Sequence, residues 1–497
     1  MAHSKNVIAL TLVGILLALP MSALASELTS GDVDDNLQYD YYLDYLARAA
    51  ANDTHHQLPE LNVKDRVILR VLDGSGWPIS HARVSVTAEG GTAPLVESYT
   101  NTRGMFYFFP AHDGAGECKR FIAAASPPGH NETRGTVTFD ISELGPSRQV
   151  DLRVEGSVSE PPVSLDLLFC VDVTGSMCDE LSFLTREFGS ITDDITKGFP
   201  NVSIRFGLVV YRDHGDAFVV RSYDFTRSLS TMQSQLNSQE AAGGGDYEEA
   251  VDEALAKAVS FPWREGNTVR MLFHVGDAPP HDQQLAAALQ QVDKARHLGI
   301  QMFPVAGSGV GNVAEYMMRA EGLLTTGRYL FLTDDSGIGN THEKPHVCAY
   351  VVTYLDDLIY RIVASELIGW RVEPTQENVL RTVGPYNNGT CEPGCCGGNT
   401  TNATGTGTSG STGGSTGGDI SPASPGSYGA SGDGEGGKTG PSLTAGDSSD
   451  SLSPPPPPCG DRGASKNAPA LSAPAVVATL MLVIGVKMLI RRSRKKN

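Results

Sequence analysis

Three stretches gather oxygen-bearing side chains at points where an apolar run stops. FCVDVTGSMCDE (169–180) sets Asp172, Thr174 and Ser176 two residues apart. GGGDYEEA (243–250) places Asp246 behind three glycines, and VGDAPPHD (275–282) places Asp277 straight after a second apolar run. Alone, Thr174 and Ser176 read as caps for the helix that follows. Together the three stretches imply more, because carboxylates crowded on one face repel unless a cation sits between them. Oxygen-only donors with no Cys or required His select a hard ion, Mg²⁺ first, then Ca²⁺ or Mn²⁺. A hydrolase using Ser176 would need a base from His214, His274 or His281. The G-x-S-x-G elbow is missing, however, and residues 307–311 read GSGVG. A phosphate loop is excluded by the lack of G-x-x-x-x-G-K-S/T, and phosphoryl hydrolysis on the metal lacks an evident general base.

The elements that must position these residues lie between 163 and about 370. LLFCV (167–171), MLFHV (271–275) and MFPVA (302–306) read as buried parallel strands, and His274 within them as a satisfied core residue. Leu181, Leu184, Phe188, Ile191 and Ile195 recur at three and four, with Gly198 as a stop, which predicts a one-sided helix over 179–197. Residues 203–223 predict two strands joined through YRDHGD, and 247–259, 282–299 and about 346–366 predict further helices. Met317 and Met318 lie on a helical pattern and read as core filling. Alternating strands and helices make this a doubly wound α/β domain, in which ligands sit outside the carboxyl ends of the central strands. YRDHGD has two readings. It is a hairpin turn suited to Asp213 and Gly215, or a rim of the metal face where Asp213, His214 and Asp216 touch a partner or tune the ion.

At these residues the segment 163–370 resembles the von Willebrand factor type A (VWA) family. Its metal-ion-dependent adhesion site (MIDAS) is written D-x-S/T-x-S, then Thr or Asp on a second loop and Asp on a third. The resemblance implies that Thr174 and Ser176 bind the ion through hydroxyls. It implies that Asp172 and Asp277 hold metal-bound waters or coordinate in alternate states. Asp246 takes the place where adhesion receptors often carry Thr, which predicts tighter ion retention and a weaker pull on a partner's carboxylate. If Asp246 works through water instead, the adhesive electrophile survives. The string DVTGSM…YRDHGD…GGGDYEEA…GDAPPHD is similar to the domains of hemicentins and von Willebrand-type alpha-kinases. No kinase Gly-rich loop or kinase domain follows, so no kinase activity is carried over.

Outside this segment the chain changes character. Residues 63–155 read all-β, with short runs VILRV, ARVSV, MFYFF, RFIAA and QVDLRV separated by Gly, Pro and Asp turns. LDGSGWPISHARVSV…TNTRGMFYFF resembles the carboxypeptidase-regulatory-like or transthyretin-like sandwich, usually a spacer. Residues 387–466 are rich in Gly, Ser, Thr and Pro, including the run 454–458, and read as a disordered stalk.

Both ends are specialised. Lys5, the apolar run Val7–Leu19 and Ala23-Leu24-Ala25 predict a secretory signal over 1–25. Residues 468–490 are long and apolar enough for a membrane helix, and the following tail 491–497 carries five basic residues, which directs it to the cytosol. Taking those five positive charges from the formal −19 leaves −24 on the rest, which argues against nucleic acid as a partner. Asn52, Asn131, Asn201, Asn388, Asn399 and Asn402 are glycosylation candidates, and the eight cysteines predict disulfides of undetermined pairing.

The sequence therefore predicts a type I single-pass plasma-membrane protein. It would have a sandwich spacer, a divalent-cation-dependent VWA head, a stalk and a short tail. The head is expected to bind an extracellular protein or matrix component and to be no enzyme. A metal-stabilised accessory or assembly subunit of a membrane complex and a surface metal-dependent hydrolase are the alternatives.

Overall fold

The computed structural model describes residues 28–52, 58–337 and 341–391. The chain opens with β1 (Thr29–Val33) and α1 (Tyr39–Asn52). Seven strands follow: β2 (Val67–Asp73), β3 (Arg83–Ala88), β4 (Val96–Tyr99), β5 (Met105–Phe108), β6 (Arg120–Ser126), β7 (Gly135–Asp140) and β8 (Gln149–Val154). Next come β9 (Ser164–Asp172), α2 (Cys178–Gly198), β10 (Ser203–Tyr211), β11 (Val220–Thr226), α3 (Leu229–Asn237) and α4 (Val251–Val259). The last run is β12 (Thr268–Gly276), α5 (Leu285–His297), β13 (Gln301–Ala306), α6 (Asn312–Leu324), β14 (Tyr329–Thr333), β15 (Tyr350–Tyr354), α7 (Leu355–Ile368) and β16 (Arg381–Val383).

Nine strands form one sheet in the order β11-β10-β9-β12-β13-β14-β1-β15-β16. The run β10, β9, β12, β13, β14 is parallel, whereas β11 and β1 are antiparallel to their neighbours. The parallel strands are apolar on both faces because helices cover both. On β9, Leu165, Leu167, Phe169 and Val171 pack toward α2, α3 and α7. Leu168 and Cys170 point the other way, toward α1, α4, α5 and α6. This two-residue alternation divides one apolar run between two cores. Phe169, Phe273 and Phe303 stand in register across β9, β12 and β13 with ring centroids 5.5 and 5.3 Å apart. Each such aromatic pair is worth about 0.5–1.5 kcal/mol beyond its area.

Four of the sequence expectations change. The α/β unit, read as beginning at 163, also takes in Thr29–Val33 and Arg381–Val383 as strands of the same sheet. The helix expected over 247–259 starts at Val251, because Glu249 joins a backbone pairing with Pro280 and donates its N–H to Pro279. The stretch expected as helix over 282–299 begins with a single 3₁₀ turn, Asp282–Gln284, before α5. The helix expected over 346–366 begins only at Leu355, and Tyr350–Tyr354 before it is a strand, since the β-branched Val351, Val352 and Thr353 fill a gap between β1 and β16. Met317 and Met318 are buried in α6, as core filling requires.

The strands β2–β8 form two smaller sheets, ordered β5-β2-β8 and β4-β3-β6-β7. They share one apolar core that includes Val67, Leu69, Val84, Val86, Phe108 and Phe121. In sequence they lie between β1–α1 and β9, as an insertion into the α/β unit. They dock on α5 through Arg296, which forms a two-pronged pair with Asp113 at 2.6 and 3.0 Å and donates to Tyr107 O at 2.8 Å. The guanidinium also faces the Phe106 and Phe109 rings. Ser98 Oγ donates to Arg296 O at 2.5 Å, and His112 meets Asp293 at 2.9 Å.

Cys348 and Cys391 are joined by a disulfide, and Cys178 is also disulfide-bonded. Among the described residues no helix is long and apolar enough to cross a membrane. The expected signal segment, the stalk beyond 391, the span 468–490, Asn399 and Asn402 lie outside the described residues. Asn52, Asn131, Asn201 and Asn388 are exposed.

Candidate metal centre

Chain topology brings the first and third stretches together. On β9, Asp172 is the last residue and pairs with Tyr211 on β10, while Val171 pairs with Val275 on β12. The chain leaves β9 for α2 on one face of the sheet and leaves β12 for α5 on the other. The crevice between them is the switch point of a doubly wound sheet, and Asp277 follows β12 directly into it. Gly276 allows the close approach, since a Cβ there would lie 2.6 Å from the Tyr211 hydroxyl.

Asp172 is fully buried. Its Oδ1 accepts from Thr174 N at 2.8 Å and from Thr174 Oγ1 at 2.6 Å, and Thr174 Oγ1 lies 3.1 Å from the exposed Ser176 Oγ. Thr174 makes no side-chain cap to the turn that follows, so its hydroxyl is spent inside the cluster. Ser176 in turn bonds the Asp277 carboxylate, which is 4% exposed. These four residues, Asp172, Thr174, Ser176 and Asp277, are drawn into one cluster.

Asp246 is placed differently from its neighbours. It is exposed, and its carboxylate lies with those of Glu248 and the His281 imidazole within 4.8 Å. The acid that the glycine loop turns toward Asp172 is Glu249, 2% exposed. Gly243 and Gly244 hold φ of +87° and +69°, a left-handed path that L side chains resist. A Cβ on Gly244 would lie 2.7 Å from Glu249 Oε1 and 3.1 Å from Thr174 Cβ, so the bare backbone lets the loop close over the cluster. Glu180, at the start of α2, adds another buried carboxylate and accepts from Ser308 N at 3.2 Å and from its hydroxyl. Sequence reading missed Glu249 because YEEA continues a helical pattern. The available signal was the glycine triplet, which can carry the next few residues inward.

Electrostatics explain what such a cluster needs. Burial pushes the Asp172 carboxyl up to about 6, although the two Thr174 bonds and the nearby His274 act the other way. Burial drives Asp277 well above the carboxylate range, and Asp172 and Glu180 add to it. Burial, then Asp172, Asp213, Asp277 and Asp216, push Glu249 up to about 10. Asp172 Oδ2, Asp277 Oδ1, Glu249 Oε2 and Glu180 Oε2 are buried without a hydrogen-bond partner among the described residues. Asp172, Asp277 and Glu249 repel one another, and a hard divalent cation among them would satisfy the orphaned oxygens, but as they stand no three of these acids bring donor atoms within 4.8 Å of one another.

His274 is the satisfied core residue its strand pattern implies. Its Nδ1 lies 3.0 Å from Glu321 Oε1 and its Nε2 lies 3.0 Å from the Tyr211 hydroxyl. YRDHGD forms the turn and lies against the glycine loop. Gly215 has φ +89°, and the Asp216 carboxylate accepts from Asp213 N at 3.2 Å and Gly244 N at 3.0 Å, tying the turn to the glycine loop. Asp213 Oδ1 lies 2.7 Å from His281 Nε2, and His214 is half-exposed beside them.

Residues 166–317 match the family model of the von Willebrand factor A domain. A curated relative, alpha-protein kinase vwkA of Dictyostelium discoideum, is 30% identical over 118 residues, which is 24% of this chain and 19% of that protein. The match thus spans about a fifth of that relative's length. Two solved structures are similar to parts of this chain. The conserved hypothetical protein BatB from Bacteroides thetaiotaomicron is 14% identical with a TM-score of 0.29, covering 41% of this chain and 98% of its own. The pilus adhesin SpaC from Lactobacillus rhamnosus GG is 11% identical with a TM-score of 0.28, covering 42% of this chain and 29% of its own.

Proposed function

We propose that the α/β unit is a protein-binding head that holds Mg²⁺ (or Ca²⁺ or Mn²⁺) at the Asp172–Asp277 crevice and recognises an extracellular protein or matrix component there. Thr174, Ser176, Asp172 and Asp277 would hold the ion, with Asp246 or Glu249 completing the acid set from the glycine loop. Bound there, the cation would supply an electrophile to a partner's acidic group and relieve the carboxylate repulsion. The observation that carries this reading is the set of buried acid oxygens left unpaired on separate loops, whose carboxylates raise one another's pKa beside the sheet's switch point. The proposal assigns no catalytic residue. It places the head outside the plasma membrane, on the stalk and the apolar span 468–490 read from the sequence.

The accessory-subunit reading gains support from Glu249 and Glu180. Their extra negative charge would offset the ion and weaken its pull on an outside carboxylate. The two readings separate in one experiment. Attachment of the full chain to candidate proteins and matrix surfaces is measured with and without chelator, alongside Asp277→Ala. Adhesion lost in chelator and in the variant supports the binding head. Attachment indifferent to both refutes it and leaves the accessory role.

A further inference from the structure

A second constellation lies on the same face but has a different chemistry. The turn after β10 supplies Asp213 and His214, and the segment between β12 and α5 supplies His281. One donor atom from each of the three lies within 4.8 Å of the other two. His281 Nε2 is 2.7 Å from Asp213 Oδ1, and the His214 and His281 rings face each other at 5.6 Å and 32°. Asp246 and Glu248 form a second group with His281, one donor atom of each lying within 4.8 Å of the others.

We propose that Asp213, His214 and His281 form a binding site for a borderline divalent transition ion of the Zn²⁺ class, separate from the hard-ion crevice. Two imidazoles and one carboxylate are the donor set that zinc takes readily and that Mg²⁺, which prefers oxygen and keeps its waters, does not. Donors on one tetrahedral zinc stand about 3.3 Å apart, so the His281–Asp213 pair, 2.7 Å apart, needs to open by about 0.6 Å. The frame is held in advance. Asp216 fastens the turn to the glycine loop through two backbone N–H groups, and Asp213 is 6% exposed. His214 is the most exposed member, half-exposed with Nδ1 3.8 Å from Glu253, and a change of side-chain rotamer would turn it onto an ion. Three protein ligands leave one position open to water or an outside group.

The test uses tag-free full chain, stripped with chelator, desalted and kept in excess Mg²⁺ so that the crevice is filled. Zn²⁺ is titrated calorimetrically, and Co²⁺ is titrated in parallel for its tetrahedral visible absorption. The expected result is one tight zinc per chain, weakened at least about 100-fold in His214→Ala and in His281→Gln. It should be unchanged in Asp277→Asn, which alters only the other site. His214 is half-exposed, so its variant keeps the fold even if the His281 variant does not; melting curves check both. Absence of zinc uptake in excess Mg²⁺, uptake indifferent to His214→Ala, or uptake lost in Asp277→Asn would each overturn the assignment.

Discussion

Replacing Asp172 by Asn keeps the side chain's shape and its acceptor for Thr174 while deleting a buried charge. In the absence of a divalent ion that charge is a burden, because burial moves the carboxyl from 3.8 to about 6. At about 1.4 kcal/mol per pH unit, the displacement corresponds to about 3 kcal/mol against folding once Asp172 is ionised. A carboxyl raised in the folded state binds more protons folded than unfolded, so stability falls as pH rises from 3.8 to about 6 and the loss persists above. Asp172→Asn should therefore stabilise the chelator-treated chain by up to about 3 kcal/mol at about pH 8 and by almost nothing near pH 4. Relief at Asp277 and Glu249, both raised in part by Asp172, acts in the same direction. With saturating Mg²⁺ the order should invert, since the wild type gains binding energy that the variant cannot collect. Urea unfolding at both pH values, with and without Mg²⁺, measures all four quantities. If the chelator-treated variant is less stable than wild type at the higher pH, carboxylate crowding is not what shapes this crevice.

Other substitutions test the surrounding frame. Asp166, fully buried, meets Arg205 and Arg264 at 2.6 Å each, so Asp166→Asn should cost about 3–5 kcal/mol in denaturant unfolding. Its carboxyl is held below 3.8, against the effect of burial, by the two guanidinium groups, so this stability is present above that pH and is lost as pH falls through the lower folded value. Gly244→Ala should strain a residue at φ +69° by about 1–2 kcal/mol and push Glu249 aside, and calorimetry should show weaker Mg²⁺ binding with only a modest fall in melting temperature. Removing Cys348–Cys391 opens a 43-residue loop and should lower stability by about 4 kcal/mol, read from unfolding of the Cys348→Ala/Cys391→Ala chain against wild type without reductant.

The parallel strands carrying the crevice were legible because helices on both faces demand uninterrupted apolar runs, and Asp172 and Asp277 mark where those runs end. The strand TSGDV, β1, could not be read that way. It is polar yet wholly buried, and its fitness for the sheet depends on residues far along the chain. Asp32 meets Arg328 and Arg371 at 3.4 and 3.1 Å, Asp35 just beyond meets Arg319 at 2.6 Å, and Gly31 makes room for the Phe331 and Tyr350 rings. Local pattern carries no trace of such partners. Glu249, and the pairing of His281 with Asp213, were hidden for a related reason. Glu249 sits in a helical repeat and His281 in a proline turn, and only the folded path brings each to its neighbours.

Thr29–Val33 also constrains how the protein can be made. The strand pairs with Tyr329–Thr333, and its first residue bonds a partner 304 positions later. At ribosomal speeds of about 5–20 residues per second, that stretch takes about 15–60 s to emerge. Throughout that interval the insertion between them can complete its own fold, while the polar ribbon that preceded it waits without a dock. Closure of the central sheet is thus a late event, governed by the arrival of the last third of the chain. A chain terminated before residue 329 would keep its earliest segment exposed to chaperones and proteases.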